Sequence, residues 1–112
     1  MNPRRVIIES PFAGDVKRNV AYARCCVRDS VLRGEAPIAS HLLFTQPGIL
    51  NDDDQREREL GIAAGLAWLK YADVSIVYTD HGISRGMEKG IAAAKILGVP
   101  IEYRRLVIEE LA

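Results

Sequence analysis

Short β-branched apolar runs alternate along the chain with longer stretches in which apolar residues recur every three or four positions. Arg5-Val6-Ile7-Ile8-Glu9, stopped by Ser10-Pro11, reads as a buried strand entering a loop. Beyond Gly14, Asp15 can cap a helix of about 17 residues whose positions Val16, Val20, Ala23, Val27 and Val31 keep helical spacing until Gly34. Ala36 to Ser40 predicts a second strand, with Pro37 near its start, where a missing donor is tolerated, and His41 to Gln46 at its exit. The loop from Pro47 to Asp54 leads into a helix carrying Leu60, Ala64, Ala67 and Tyr71 on one stripe, with Trp68 beside it. Val74 to Tyr78 is a third strand. Ser84 opens a helix bearing Met87, Ile91, Ala94 and Leu97, Gly98 ends it, and Val99 to Tyr103 gives a fourth strand. Leu106 to Leu111 fits either a helical turn or a further strand.

Strands alternating with helices, joined by right-handed crossovers, imply an α/β fold: a small doubly wound, mainly parallel sheet of four to five strands in flavodoxin-like order 2-1-3-4, with helices on both faces. Residues 1–112 form a single domain in this reading. Such sheets bind ligands beyond the carboxyl ends of their strands, where the strand order reverses. Here that point lies between the first and third strands, and it gathers Glu9 to Gly14, Ser40 to Gln46 and Tyr78 to Met87 around one crevice.

Composition narrows the ligand. Of 112 residues 48% are hydrophobic, and 15 Lys and Arg balance 15 Asp and Glu. Without a basic excess, neither nucleic acid nor a membrane surface is an expected partner. The N-terminal apolar run is too short for a signal peptide or a span, so a cytoplasmic protein is expected. The adjacent Cys25 and Cys26 read as buried or half-buried helix residues. His41 and His81, the only histidines, have no chelating spacing, so neither a metal nor a cofactor is expected.

Two loops hold the candidate chemistry. Ser10-Pro11-Phe12-Ala13-Gly14 fits a site where a ring stacks on Phe12 while backbone donors at the helix start hold an anion. It fits equally a tight turn with Phe12 packed inward. Asp80-His81-Gly82-Ile83-Ser84-Arg85-Gly86-Met87 places an acid, an imidazole, a hydroxyl, a guanidinium and two backbone-permissive glycines in one strand-to-helix loop. Asp80 suits a ribose hydroxyl, Gly82 and Gly86 allow close backbone approach, and Ser84 and Arg85 suit a phosphate. The plainer alternative is a capped turn with a solvated Arg85. His41 is expected to contact the ligand, and Gln46 to Leu50 to fold over the pocket. No dinucleotide glycine pattern, phosphate-loop lysine or nucleophile elbow is present.

Taken in order, Val6-Ile7-Ile8-Glu9-Ser10-Pro11-Phe12-Ala13-Gly14, Ala67-Trp68-Leu69-Lys70-Tyr71-Ala72-Asp73-Val74, Asp80-His81-Gly82 with Ser84-Arg85-Gly86-Met87, and Ala94-Lys95-Ile96-Leu97-Gly98-Val99-Pro100 resemble the nucleoside 2-deoxyribosyltransferase-like proteins. The resemblance implies a nucleoside- or nucleotide-binding domain that breaks an N-glycosidic bond through a carboxylate nucleophile, in a homo-oligomer whose subunits complete one another's pockets. One departure concerns that nucleophile. Alignment on Asp80-His81-Gly82 puts it at Gly86, and alignment on Ser84-Arg85-Gly86 puts it at Gly90. Glu88 lies two positions from each, about 200° around a helix, and so points elsewhere. Glu9, where the family usually has a small residue, and Asp80 are the remaining catalytic candidates.

Three readings follow. The first is a binder of a nucleoside- or nucleotide-derived small molecule that lacks the usual Glu, of the kind a phage would use to sequester a nucleotide immune signal. The second is an active N-glycosidase or deoxyribosyltransferase using Glu9 or Asp80. The third is a non-catalytic scaffold. The expected ligand-binding residues are Ser10, Pro11, Phe12, Gly14, His41, Asp80, Gly82, Ser84, Arg85, Gly86 and Met87.

Overall fold

A computed structural model of the chain describes residues 2–106. Four strands form where the β-branched runs lie: β1 (Arg5–Glu9), β2 (Ala36–Ile38), β3 (Val74–Tyr78) and β4 (Ile101–Arg104). They pair in the order β2-β1-β3-β4, and every pairing is parallel, so the expected order holds. The helices are α1 (Val16–Leu32), α2 (Ser40–Leu43), α3 (Gln55–Leu69) and α4 (Arg85–Leu97). No described helix is long and apolar enough to cross a membrane.

Strand pleat divides the core in two. Val6, Ile8, Val74, Ile76 and Tyr78 point to the side where Tyr22 and Cys26 of α1 pack. Ile7 packs with Leu69 and Ala94, and Val77 with Met87 and Ile91, on the opposite side under α3 and α4. All five residues of β3 are buried, as a central parallel strand covered on both faces requires.

Several boundaries and faces differ from expectation. The second strand stops at Ile38, and Ser40–Leu43 is a short helix, because the Leu42 and Leu43 N–H groups both bond the Ala39 carbonyl. On α1 the buried face carries Asn19, Tyr22, Ala23, Cys26, Asp29 and Ser30, while Val16 and Val31 of the expected valine stripe are exposed. The polar members of that face are paired. Asn19 donates to the Phe12 and Ala13 carbonyls at 2.9 and 3.1 Å, Asp29 accepts from the Tyr78 hydroxyl at 2.7 Å, and Ser30 donates to Glu35 at 2.8 Å. Cys26 is buried and Cys25 partly so, as expected of helix cysteines.

The stripe of α3 does not form core. Leu60, Trp68 and Tyr71 are exposed, and Leu69 is the buried residue of this helix. Small residues bring α3 against α2 instead, with Gly65 over the Ser40 side chain. On α4, Met87, Ile91 and Ala94 are buried as expected, but Leu97 is exposed. Gly98 closes α4 in the left-handed conformation at φ 72°, and Pro100, which has no N–H, delays β4 to Ile101. Leu106 is buried, and the rest of the expected terminal element, 107–111, lies outside the described residues.

Candidate functional site

At the carboxyl end of β1 successive side chains leave the sheet on opposite faces. Glu9 turns toward α4, where it meets Gly90: a Cβ built on that glycine would lie within 2.7 Å of both carboxyl oxygens and the carboxyl carbon. No described residue donates a hydrogen bond or gives an ion pair to this carboxyl. Glu9 is half-buried, and the desolvation pushes its carboxyl up to about 7 from the ordinary carboxylate range. The side-chain space of Gly90 is thus filled by an acid from β1.

Ser10 is buried, and its hydroxyl shares a 2.7 Å hydrogen bond with Nε2 of His41 on α2. Burial drives the imidazole down to about 4, so it is neutral near physiological pH. His41 also lines a cavity of about 100 Å³ with Phe44, Leu50 and Arg58, between α2 and α3. Leu50 reaches that cavity because its N–H bonds the Phe44 carbonyl, which folds the segment after α2 back over the helix. Pro11 is buried and Phe12 partly buried, in a loop pinned by Asn19. Gly14, at φ 100°, turns this loop into α1, whose cap Asp15 accepts from the Arg18 N–H at 3.2 Å.

The second loop is organised around Asp80. Its side chain is only 5% exposed and accepts from the Tyr22 hydroxyl at 2.6 Å and from the Leu106 N–H at 3.1 and 3.2 Å. Arg105 stands 3.9 Å away. Its oxygens are therefore committed to tying α1, the β3 exit and the chain beyond β4 together. His81 stacks on Tyr22 with ring centres 4.2 Å apart and accepts at Nδ1 from Arg18 Nε at 3.1 Å. Gly82 adopts φ 80°, and its N–H bonds the Thr79 carbonyl. Ser84 caps α4 by accepting from the Met87 N–H at 3.3 Å. Met87 itself is buried with Val77 and Ile91, so it supports the loop from beneath. Arg85 and Gly86 are exposed in the first turn of α4.

The structure thus brings Glu9, Ser10, His41, Asp80 and the start of α4 to one edge of the sheet, as the strand order required. Sequence reasoning missed Tyr22, Arg18 and Asn19, which lie on α1 and hold the two loops. Their only sequence signal is polar or aromatic character at helical spacing from Asp15. No group of three or more metal-ligating side chains occurs among the described residues. A larger groove, about 530 Å³, lies at the other end of the sheet against Val31, Ile38, Trp68 and Tyr71. Its charged residues are already paired, Glu35 with Arg4 and Arg104 and Arg5 with Asp73. The Glu9 carboxyl stands at the opposite edge.

The fold is a small doubly wound α/β domain of deoxyribosyltransferase-like architecture. The solved structure of a 2-deoxyribosyltransferase from the psychrotolerant bacterium Bacillus psychrosaccharolyticus matches it with a TM-score of 0.63 and 20% sequence identity, covering 90% of this chain and 72% of that one. The chain belongs to the family described as a domain of unknown function, DUF7768, whose family model matches residues 4–104. No curated protein matches the sequence significantly.

Proposed function

We propose that the crevice beyond the carboxyl ends of β1 and β3 binds a nucleoside- or nucleotide-derived small molecule, with Glu9 as its central polar contact. The observation that carries this reading is the Glu9 carboxyl itself. It is buried enough to rest near 7, has no protein partner, and stands at the strand-order reversal of a fold that a 2-deoxyribosyltransferase shares. Arg85 and the positive dipole ends of α1 and α4 suit an anionic group on the same ligand. A protein that holds such a molecule without altering it acts by sequestration, the role expected of a phage protein that removes a nucleotide signal.

A second reading, cleavage of the ligand's N-glycosidic bond, is favoured by the position of the same acid. A carboxyl resting near 7 is suited to exchange a proton at neutral pH. Asp80 is the weaker catalytic candidate, because Tyr22 and Leu106 already occupy its oxygens.

One experiment separates the readings. The purified protein is mixed with nucleosides, deoxynucleotides, NAD and ADP-ribose, and the free and heat-released fractions are analysed by mass spectrometry. An intact compound recovered only with the protein supports binding, whereas released base supports cleavage. Retention of no compound and release of no base would leave the scaffold reading in place of both.

A further inference from the structure

We propose that Gly90 is a positioning residue for Glu9: the missing side chain on α4 is the seat in which the Glu9 carboxyl lies and from which it meets the ligand. The inference rests on the ligand-binding reading above and adds to it a second residue with an assigned task.

The geometry requires the pairing. Gly90 is the sixth residue of a 13-residue α-helix, an interior position where glycine is unfavourable relative to alanine. Its backbone has no positive φ, so conformation does not explain the residue. What explains it is contact: three carboxyl atoms of Glu9 lie within 2.7 Å of where a Cβ would be. The blocking group is the end of a side chain, so a methyl at 90 would expel the carboxyl rather than break the helix. Gly86, one turn earlier, has nothing within 4 Å of its own Cβ position and shows no such dependence.

The surroundings give the seat no competing partner. On β3 the residue paired with Glu9 is Val77, which is apolar. Arg85, Glu88 and Lys89 on α4 are exposed, and the Asp80 carboxylate beyond β3 is held by Tyr22 and Leu106. Burial alone accounts for the high proton affinity of Glu9. The carboxyl is therefore fixed by shape and left with its hydrogen-bonding capacity unspent, the condition expected of a group that waits for a ligand.

The test combines a stability cycle with two readouts of position. Gly90→Ala should lower Tm in the native background. In a Glu9→Ala background the same substitution should raise it by about 4 °C, because only the helix preference of alanine remains. Carbon-detected NMR of the glutamate carboxyls, assigned by loss of one signal in Glu9→Gln, should show one group titrating near 7 in the native chain. Gly90→Ala should return that group toward the ordinary carboxylate range, which a purely structural glycine would not do. Calorimetry with 2′-deoxyadenosine, 2′-deoxycytidine and their 5′-monophosphates should show affinity falling at least tenfold in Gly90→Ala and unchanged within threefold in Lys89→Ala.

A Tm change of the same sign in both backgrounds, or an unmoved titration, overturns the seat even if the probes bind. A reversed sign and a moved titration with no probe bound by the native chain keep the seat but overturn its role toward a ligand, together with the binding reading. Binding by Gly90→Ala at native strength also overturns that role.

Discussion

Tyr22 and Asp80 exchange two hydrogen bonds: the phenol donates to the carboxylate at 2.6 Å, and the Asp80 N–H donates back to the phenol oxygen at 3.1 Å. Burial, reinforced by the adjacent carboxylate, holds the Tyr22 hydroxyl protonated far above its ordinary range. The pair joins the middle of α1 to the exit of β3, and Leu106 extends it to the chain after β4. An acid that sequence reading offered for catalysis is thereby bound into the frame of the site.

Tyr22→Phe should therefore destabilise the fold by about 2 kcal/mol, the loss of a hydrogen bond to a charged acceptor. Asp80→Asn should cost a comparable amount while leaving any base release at or above half the native rate. Urea unfolding and the mass-spectrometric assay check the two halves. A stable Asp80→Asn protein that has lost all turnover would return Asp80 to the catalytic candidates.

Glu9 and His41 give opposing pH dependences. Glu9 rests at about 7 in the fold against about 4.5 unfolded, so its contribution is fully present below 4.5 and is lost as pH rises through 7. His41 rests at about 4 against about 6.5, so its contribution is fully present above 6.5 and is lost as pH falls toward 4. Each shift corresponds to at most about 3 kcal/mol, and between 4.5 and 6.5 the two offset one another. Glu9→Gln should expose the His41 slope. It should match the native chain near pH 4.5 and exceed it by up to about 3 kcal/mol at pH 8. Equal urea midpoints at pH 8 would mean that the Glu9 carboxyl is not desolvated in the fold.

The helical glycines away from Glu9 should separate by contact. A Cβ at Gly65 would stand 2.6 Å from Ser40 Oγ, so Gly65→Ala should destabilise by about 1–3 kcal/mol through overpacking of α3 on α2. Gly86→Ala meets nothing within 4 Å and should stabilise by about 0.5–1 kcal/mol. If the ligand backbone contact expected at Gly86 forms, the same alanine weakens binding while raising stability. Thermal unfolding and calorimetry on one preparation read both effects.

Trp68 is 55% and Tyr71 59% exposed, on the groove opposite the site. Trp68→Ser should consequently change stability of the single chain by no more than about 0.5 kcal/mol. Sedimentation of both proteins tests the homo-oligomer expected from the transferase resemblance. If copies of the chain meet on this face, the substitution lowers the sedimentation coefficient. An unchanged oligomer would place the contact elsewhere.

The sequence by itself determined the strands, their parallel order and the edge where the loops gather. These follow from local rules: β-branched runs at Arg5–Glu9 and Val74–Tyr78, caps at Asp15 and Ser84, the left-handed stop at Gly98, and right-handed crossovers between them. It determined less well which helix face is buried. Asn19, Asp29 and Ser30 lie inward because partners from distant segments satisfy them, whereas Leu60, Trp68 and Tyr71 lie outward because α3 meets α2 through glycine. Periodicity reports hydrophobicity along one helix and cannot register a hydrogen bond offered by another. The surroundings of the two acids were likewise set only in three dimensions. Asp80 is engaged and Glu9 is not, since Tyr22 stands 58 residues before one and Gly90 opens a space for the other from a helix more than 70 residues along the chain. Burial and partnership are properties of the packed neighbourhood, and those properties set whether a carboxyl supports the fold or remains free to meet a ligand.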